Sequence, residues 1–362
     1  STVHPWDVDY LLARAAEKGN GPCRTPPAHF PLARCLEGIR LVLREGFGLE
    51  LVKAPSVPGE LWHPTVQKCL LRRLGGGKKT EGGKKTLGEK KALGVLYLDL
   101  YGRAGKTRGA ALYTLRGASA VLSADLPHTP PDLPHTSPDL HLDLPAAALV
   151  CSSGDALSHP QLVALFHEMG HALHALLGRT TFQHFSGVRV PLDFVEVPST
   201  LFERFALSPP LLSKWATHEG EPLPLALAET ICAKRFPAIA FQRQAIAALL
   251  DLELHGETPP ATADEVRAIA ARLAARHGAL DGPIPTAIFS HLGGYGAGYY
   301  SYLWAREISS QIWDSHFEPS PLCRSKGESW IRALSHYNET GEFVYPLSLA
   351  IDTFDSNQHG GK

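Results

Sequence analysis

The stretch LFHEMGHALHALLG, Leu165 to Gly178, decides how the rest of the chain is read. Most of it is Leu, Ala and Met, yet it carries three His and one Glu. Burying a polar group without a partner costs on the order of a few kcal/mol, so something must compensate for so much imidazole. The frame is helical. Pro160 suits a first-turn position, Gly178 suits the stop, and the residues between are good helix formers. Leu162, Leu165, Phe166, Met169, Leu173 and Leu176 are expected to bed this helix into a core.

His167, Glu168 and His171 read H-E-x-x-H. Helical residues four apart share a face. Two imidazoles there can bind one Zn²⁺ at about 2.0–2.1 Å per bond. The Glu168 carboxylate leaves an adjacent part of the helix surface, where it can reach a water on the metal without being a ligand. That is the arrangement of a metal-dependent hydrolase. His174 lies outside the motif and is read as a core residue or a support for the ligands. Catalytic zinc usually takes three protein ligands, so a third must come from farther along the chain. The candidates are His184, Asp193, Glu196 and Glu203. DFVEVPSTLFERF reads as another helix, with Glu196 and Glu203 on one side of it two turns apart. One can bind the metal while the other orients a ligating His. Spacing alone does not choose between them.

Working outward, residues 158–334 are expected to be mostly helical, with turn-rich joins. ADEVRAIAARLAARHG is amphipathic, with Asp264 and Glu265 near its start and Gly278 at its end. Before this region, VLYLDLYGR and ALYTLRG read as strands, either a hairpin or two adjacent strands. Two biased stretches flank them. Residues 75–94 repeat a Gly-Lys-Lys-Thr theme with almost nothing to bury and read as a solvated insert. Residues 125–145 repeat a Pro-containing heptad, and Pro blocks both helix and central strand, so a proline-stiffened surface insert is expected. Residues 1–74 form a partial helical region in which HFPLARCLEGIRLVLREG keeps a period near 3.6. Residues 335–362 lack a clear period and form a divergent tail.

The chain has 362 residues, 44% of them apolar, enough for a sizeable core. Lys plus Arg is 35 against 36 Asp plus Glu, which argues against a nucleic-acid partner or an anionic membrane surface. No run reaches the roughly 18 apolar residues of a membrane span. The six cysteines are scattered without a CxxC pair, so a reducing compartment fits best. A monomer is expected.

Here a resemblance becomes specific. FHEMGHALHALLGRTTFQHFSGVRVPLDFVEVPSTLFERFA resembles the active-site segment of the thimet oligopeptidase family of zinc peptidases. PGELWHPTV and GVLYLDLYGRAGK resemble the family's strand region, and FSHLGGYGAGYYSYLWAREISSQIWD its substrate loop. The GYGAGYYSYL form is closer to the mitochondrial members than to the cytosolic ones. The resemblance covers most of residues 50–334 apart from the two inserts. It implies a mainly α-helical, zincin-type metallopeptidase catalytic domain over 95–334, with a small β-sheet beside the active-site helix. It implies one Zn²⁺ held by His167, His171 and Glu196. Glu168 is then the general base, and Glu203 supports the ligands. It assigns His291, Tyr299 and Tyr302 to catalysis and Tyr295 and Gly294 to substrate binding. The implied activity is removal of short N-terminal peptides from imported precursors in the mitochondrial matrix. The alternatives are a general organellar or cytosolic oligopeptidase and a zinc-binding chain without turnover. The family's long helical region before the strands has no counterpart of that length here, so the channel it walls is expected to be open.

Overall fold

Strands dominate the chain before Ser158 and helices after it. The computed structural model describes residues 4–8, 10–12, 14, 30–74, 92–122, 140–180, 182–218, 220–233, 237–280, 282–289, 291–294 and 296–340. Strand β1 (Phe30–Pro31) leads into helix α1 (Leu32–Leu41), which runs on as a π-helical segment, Val42–Gly46. Then come β2 (Leu49–Lys53), β3 (Gln67–Arg73), β4 (Ala92–Tyr101), β5 (Ala110–Arg116), β6 (Ser119–Leu122), β7 (Leu140–Asp143), β8 (Ala146–Ser153) and β9 (Ala156–Leu157). The helical part holds α2 (His159–Leu177), α3 (Leu192–Val195), α4 (Val197–Ala206) and α5 (Pro209–Trp215). A small ribbon, β10 (Thr217–His218) and β11 (Glu221–Pro222), precedes α6 (Leu225–Cys232), α7 (Pro237–Leu254) and α8 (Ala263–Arg276). The one-turn α9 (His291–Gly294), α10 (Ser301–Ile312) and α11 (Arg324–Thr340) complete the order. Among the described residues no helix is long and apolar enough to cross a membrane. A mainly helical domain with a small sheet is therefore what the chain forms.

Five strands make the main sheet in the order β2-β3-β4-β8-β5. β4 and β8 run parallel, and the other neighbours are antiparallel. This corrects the expectation that VLYLDLYGR and ALYTLRG are neighbours, because β8 separates β4 from β5. The physical reason is burial. AAALVCSS is a nearly continuous apolar run, with Ala147, Ala148, Leu149 and Cys151 all buried, and such a run suits the interior of a sheet. β5 carries Tyr113 and Leu115, each more than half exposed, and takes the edge.

The Gly/Lys insert expected at 75–94 lies outside the described residues up to position 91, and its last three residues begin β4. The Pro-containing insert lies outside them at 125–139, while Leu140–Asp143 forms β7, paired antiparallel with β6. α11 continues through residues 335–340, so the last stretch opens as the end of a helix, and residues 341–362 lie outside.

One buried apolar cluster joins the inner face of the sheet to α1, α2, α4, α5 and α10. α2 packs under β4, β5 and β8. A second, smaller cluster of Ile246, Leu250, Ala270 and Leu273 lies between α7 and α8. Ile284 and Leu292 pack against that smaller cluster and not against the main one.

Candidate metal centre

α2 starts where the sequence expects. Ser158 caps it, with the Ser158 N–H donating to Gln161 Oε1 at 2.8 Å. Pro160 sits in the first turn, where its missing N–H is no loss, and Gly178 follows the last turn. The expected core residues Leu162, Leu165, Phe166, Met169, Leu173 and Leu176 are all buried.

The segment read as one helix, DFVEVPSTLFERF, is two. α3 ends at Val195, Glu196 is a turn residue, and α4 begins at Val197 with Pro198 in its first turn. Proline cannot donate to a carbonyl four residues back, so the helix restarts there. The break frees Glu196 from helical geometry and places it as the residue capping α4. α4 crosses α2 in direct contact. Phe202 stacks on Phe166 with ring centroids 5.6 Å apart. A Cβ at Gly170 would stand 2.6 Å from Pro198 O and Ser199 Cα, so only glycine permits this approach.

That approach brings the candidate ligands together. One oxygen of Glu196, Oε2, is 3.3 Å from His167 Nε2 and 3.2 Å from His171 Nε2. These spacings meet a simple test. Ligand atoms about 2.05 Å from a tetrahedral ion lie about 3.3 Å from one another. Among the described residues, His167, His171 and Glu196 form the one group of three metal-ligating side chains whose donor atoms fall within 4.8 Å of each other. His184 and Asp193, the other candidates for third ligand, do not join it. His184 stands beside Arg189 instead.

Supporting contacts orient His167 and Glu196. His167 Nδ1 lies 2.7 Å from Glu203 Oε1, a contact that turns Nε2 toward the centre. Ser199 Oγ donates to Glu196 Oε2 at 2.8 Å. Burial works against a charge on Glu196, but His167 and His171 outweigh it and hold the carboxyl well below the usual range. Burial likewise works against a charged His167, yet Glu196 and Glu203 raise it to about 10. His174 is fully buried one turn beyond His171, with its ring edge-on to Phe194, and burial pushes it down to about 3. It stays neutral and belongs to the packing.

Glu168 sits at the sheet. Burial raises its carboxyl, only partly opposed by His171 and His167, and the Leu112 backbone of β5 is in hydrogen-bonding reach of it. A carboxyl raised this way is suited to taking and returning a proton near neutral pH. The edge strand β5 and the H-E-x-x-H helix therefore meet at this residue.

The glycine-rich loop supplies the remaining candidates. His291 lies edge-on to Tyr299 at 5.6 Å and to Tyr302 at 5.9 Å, and the two tyrosine rings are 5.2 Å apart. The structure gathers these three. Gly294 is exposed at the end of α9, and Tyr295 lies outside the described residues. Tyr302 is in the first turn of α10, and the next turn is tied to α4 close to Glu196. The Thr200 hydroxyl is 2.6 Å from Glu196 O and 3.3 Å from Ala305 O. A backbone of this kind is special at Ala297, where φ is +63°, next to Gly296 at +26°.

The sequence model of peptidase family M3 matches residues 1–334. The chain belongs to peptidase family M3. Its relatives include the mitochondrial intermediate peptidase of Arabidopsis thaliana, 37% identical over 340 residues, which span 90% of this chain and 44% of the plant protein. The mitochondrial intermediate peptidase of Homo sapiens is 34% identical over 346 residues, 92% of this chain and 44% of the human protein. That of Botryotinia fuckeliana is 33% identical over 353 residues, 87% and 43%. This M3 chain thus spans less than half the length of these curated relatives.

Three parts of this M3 site escaped the sequence reading. Ser199, three residues after Glu196, was findable from spacing. The Leu112 backbone was not, because its place follows from sheet order. Asp251 was hidden among the apolar residues of α7.

Proposed function

We propose that this chain binds one Zn²⁺ through His167, His171 and Glu196 and hydrolyses peptide bonds. The observation that carries the reading is the spacing of 3.2 and 3.3 Å from a single Glu196 oxygen to the two imidazole nitrogens. When bound, such an ion lowers the pKa of water toward about 7 and polarises a carbonyl oxygen. Glu168, raised by burial, removes the proton from the attacking water and hands it to the leaving amine. Glu203 holds His167 in the tautomer that presents Nε2. Tyr302, with Tyr299 or His291, donates hydrogen bonds to the developing oxyanion, and losing one such donor typically costs about 10²–10³ in turnover. The free edge of β5 next to Glu168 takes the peptide as an added strand, with backbone hydrogen bonds setting its register.

The substrate we propose is a mitochondrial precursor protein from which a short N-terminal peptide is removed in the matrix. The names of the relatives in plant, fungus and human support this. A second reading is that the residues described, which span 43–44% of those relatives, bind zinc without by themselves turning over peptide. One experiment separates them. Glu168→Gln is expected to keep one zinc per chain and to abolish cleavage of a presequence peptide. A wild-type chain that binds zinc but cleaves nothing supports the second reading. Cleavage that survives Glu168→Gln refutes the mechanism.

A further inference from the structure

The tyrosines proposed for catalysis stand on a loop with glycines at 293, 294, 296 and 298. Glycine-rich backbone has many conformations to lose, so something must hold this loop in one. The holding group is buried in α7. Asp251 is fully shielded from solvent, and its Oδ2 accepts the backbone N–H of Tyr299 at 2.8 Å. Its Oδ1 faces His255 Nδ1 at 3.0 Å, and the same His255 nitrogen lies 2.9 Å from Asp251 O. Gln244, two helical turns before Asp251 on the same face, has its side-chain amide in hydrogen-bonding reach of the Tyr299 hydroxyl. A third tie is apolar: Leu292 packs into the small cluster between α7 and α8. The loop is thus fastened to the α7–α8 pair on one side, and the helix it leads into, α10, is tied at Ala305 to α4 on the other.

We infer that Asp251 is a positioning residue, whose carboxylate fixes the backbone at Tyr299 and thereby sets where Tyr299 and Tyr302 stand relative to the metal ligands. It touches no reacting atom. A buried carboxylate accepting one backbone N–H is a costly way to stabilise a helix pair, since an apolar residue would fill the same space without desolvating a charge. The same carboxylate is an economical way to hold a loop that has no apolar side chains of its own from Gly293 to Gly298 apart from Tyr295 and Ala297. The inference rests on the catalytic role proposed for the tyrosines, and the test keeps the two apart.

Hydrogen exchange read on peptides covering 296–302 is measured for the wild-type chain, Asp251→Ala and Asp251→Asn, with zinc bound and with chelator present. Steady-state peptide cleavage is measured on the same proteins and on Tyr302→Phe. Asp251→Ala is expected to speed exchange at Tyr299 at least about tenfold and to lower kcat about 10- to 100-fold. KM and zinc content stay nearly constant. Asp251→Asn keeps an oxygen that can accept the N–H and is expected to fall between. Asp251→Ala combined with Tyr302→Phe is expected to lose less than the product of the two single effects, which a general loss of structure would not give. Unchanged exchange at Tyr299 overturns the inference. Faster exchange with unchanged kcat, while Tyr302→Phe is slow, overturns it as well. A normal rate in Tyr302→Phe instead refutes the catalytic role of the tyrosine, and exchange alone then decides whether Asp251 holds the loop.

Discussion

Gly170 is the place where sequence, packing and metal chemistry meet, and Gly170→Ala tests all three. A methyl there would stand 2.6 Å from Pro198 O and Ser199 Cα and 3.0 Å from Phe202 Cβ. Non-bonded carbons prefer about 3.5–4.0 Å, so α4 must move off α2 by roughly 1 Å. Two effects on stability then compete. Alanine in a helix interior gains about 0.8–1.0 kcal/mol over glycine. Overpacking of a tight core costs about 1–3 kcal/mol. The net loss for the metal-free protein is therefore small, between about 0 and 2 kcal/mol. The metal centre has no such offset. Its ligand distances tolerate only about 0.2 Å, and Glu196 sits at the head of the displaced helix. Zinc affinity is expected to fall by at least about 100-fold, at or beyond the effect of losing a supporting contact. The assay pairs competition against a chromophoric chelator with thermal unfolding in excess chelator. Zinc binding like that of the wild type, together with a raised metal-free unfolding midpoint, would refute the reasoning. That result would mean the helices part without moving Glu196.

Other outcomes follow from the same contacts. Glu203→Ala removes the acceptor of His167 Nδ1 and is expected to weaken zinc binding about 10- to 100-fold; equal affinity in the same competition assay would deny Glu203 its orienting role. Asp99→Asn leaves the buried Lys106 ammonium, bonded at 2.9 Å to Asp99 Oδ1, without its counter-charge and is expected to cost about 3–5 kcal/mol in urea unfolding. Burial opposes the charge on Asp99, yet Arg103, Trp62 and Lys106 hold its carboxyl below the ordinary range. Its contribution is therefore present above the unfolded carboxyl value of about 3.9 and lost as pH falls from there through the lower folded value. Asp99→Asn is expected to flatten stability against pH in that acid window, and an unchanged acid limb would count against the ion-pair account.

How much of this was legible in the sequence depends on the range of the interactions involved. α2 was readable because its first-turn proline, its stop glycine and its apolar stripe are all local. The candidate pair His167 and His171 was readable as neighbours for the same reason, since one helical turn fixes their relation. The candidate third ligand was not. Spacing left Glu196 and Glu203 open, and the single helix expected over 193–205 hid the fact that Pro198 breaks it just after Glu196. Only tertiary contact distinguishes the two acids: one reaches the imidazole Nε2 atoms, the other reaches Nδ1. Sheet order was harder still. The parallel pairing of β4 with β8 joins residues separated by the Pro-containing stretch. A short-range reading favours the hairpin that the chain does not make. Asp251 is a similar case, since one of two acids in AALLDLEL looks like a solvated residue until Tyr299 N is seen to donate to it.

The metal end of the site and the peptide end differ in how completely this chain builds them, and that difference predicts which kinetic quantity is affected. The contacts described for the candidate ligands come from α2 and from the turn and helix that follow α3. Glu203 orients His167, Ser199 holds Glu196, and Phe166 and Phe202 press the helices together across Gly170. The peptide end is open. β5 is an edge, and its Tyr113 and Leu115 remain largely exposed. Contacts along such an edge are made equally in the ground state and the transition state, and loss of such binding raises KM without lowering kcat. Lengthening a test peptide along β5 should lower KM until the strand edge is filled, and kcat should depend instead on Glu168 and on the loop that Asp251 holds.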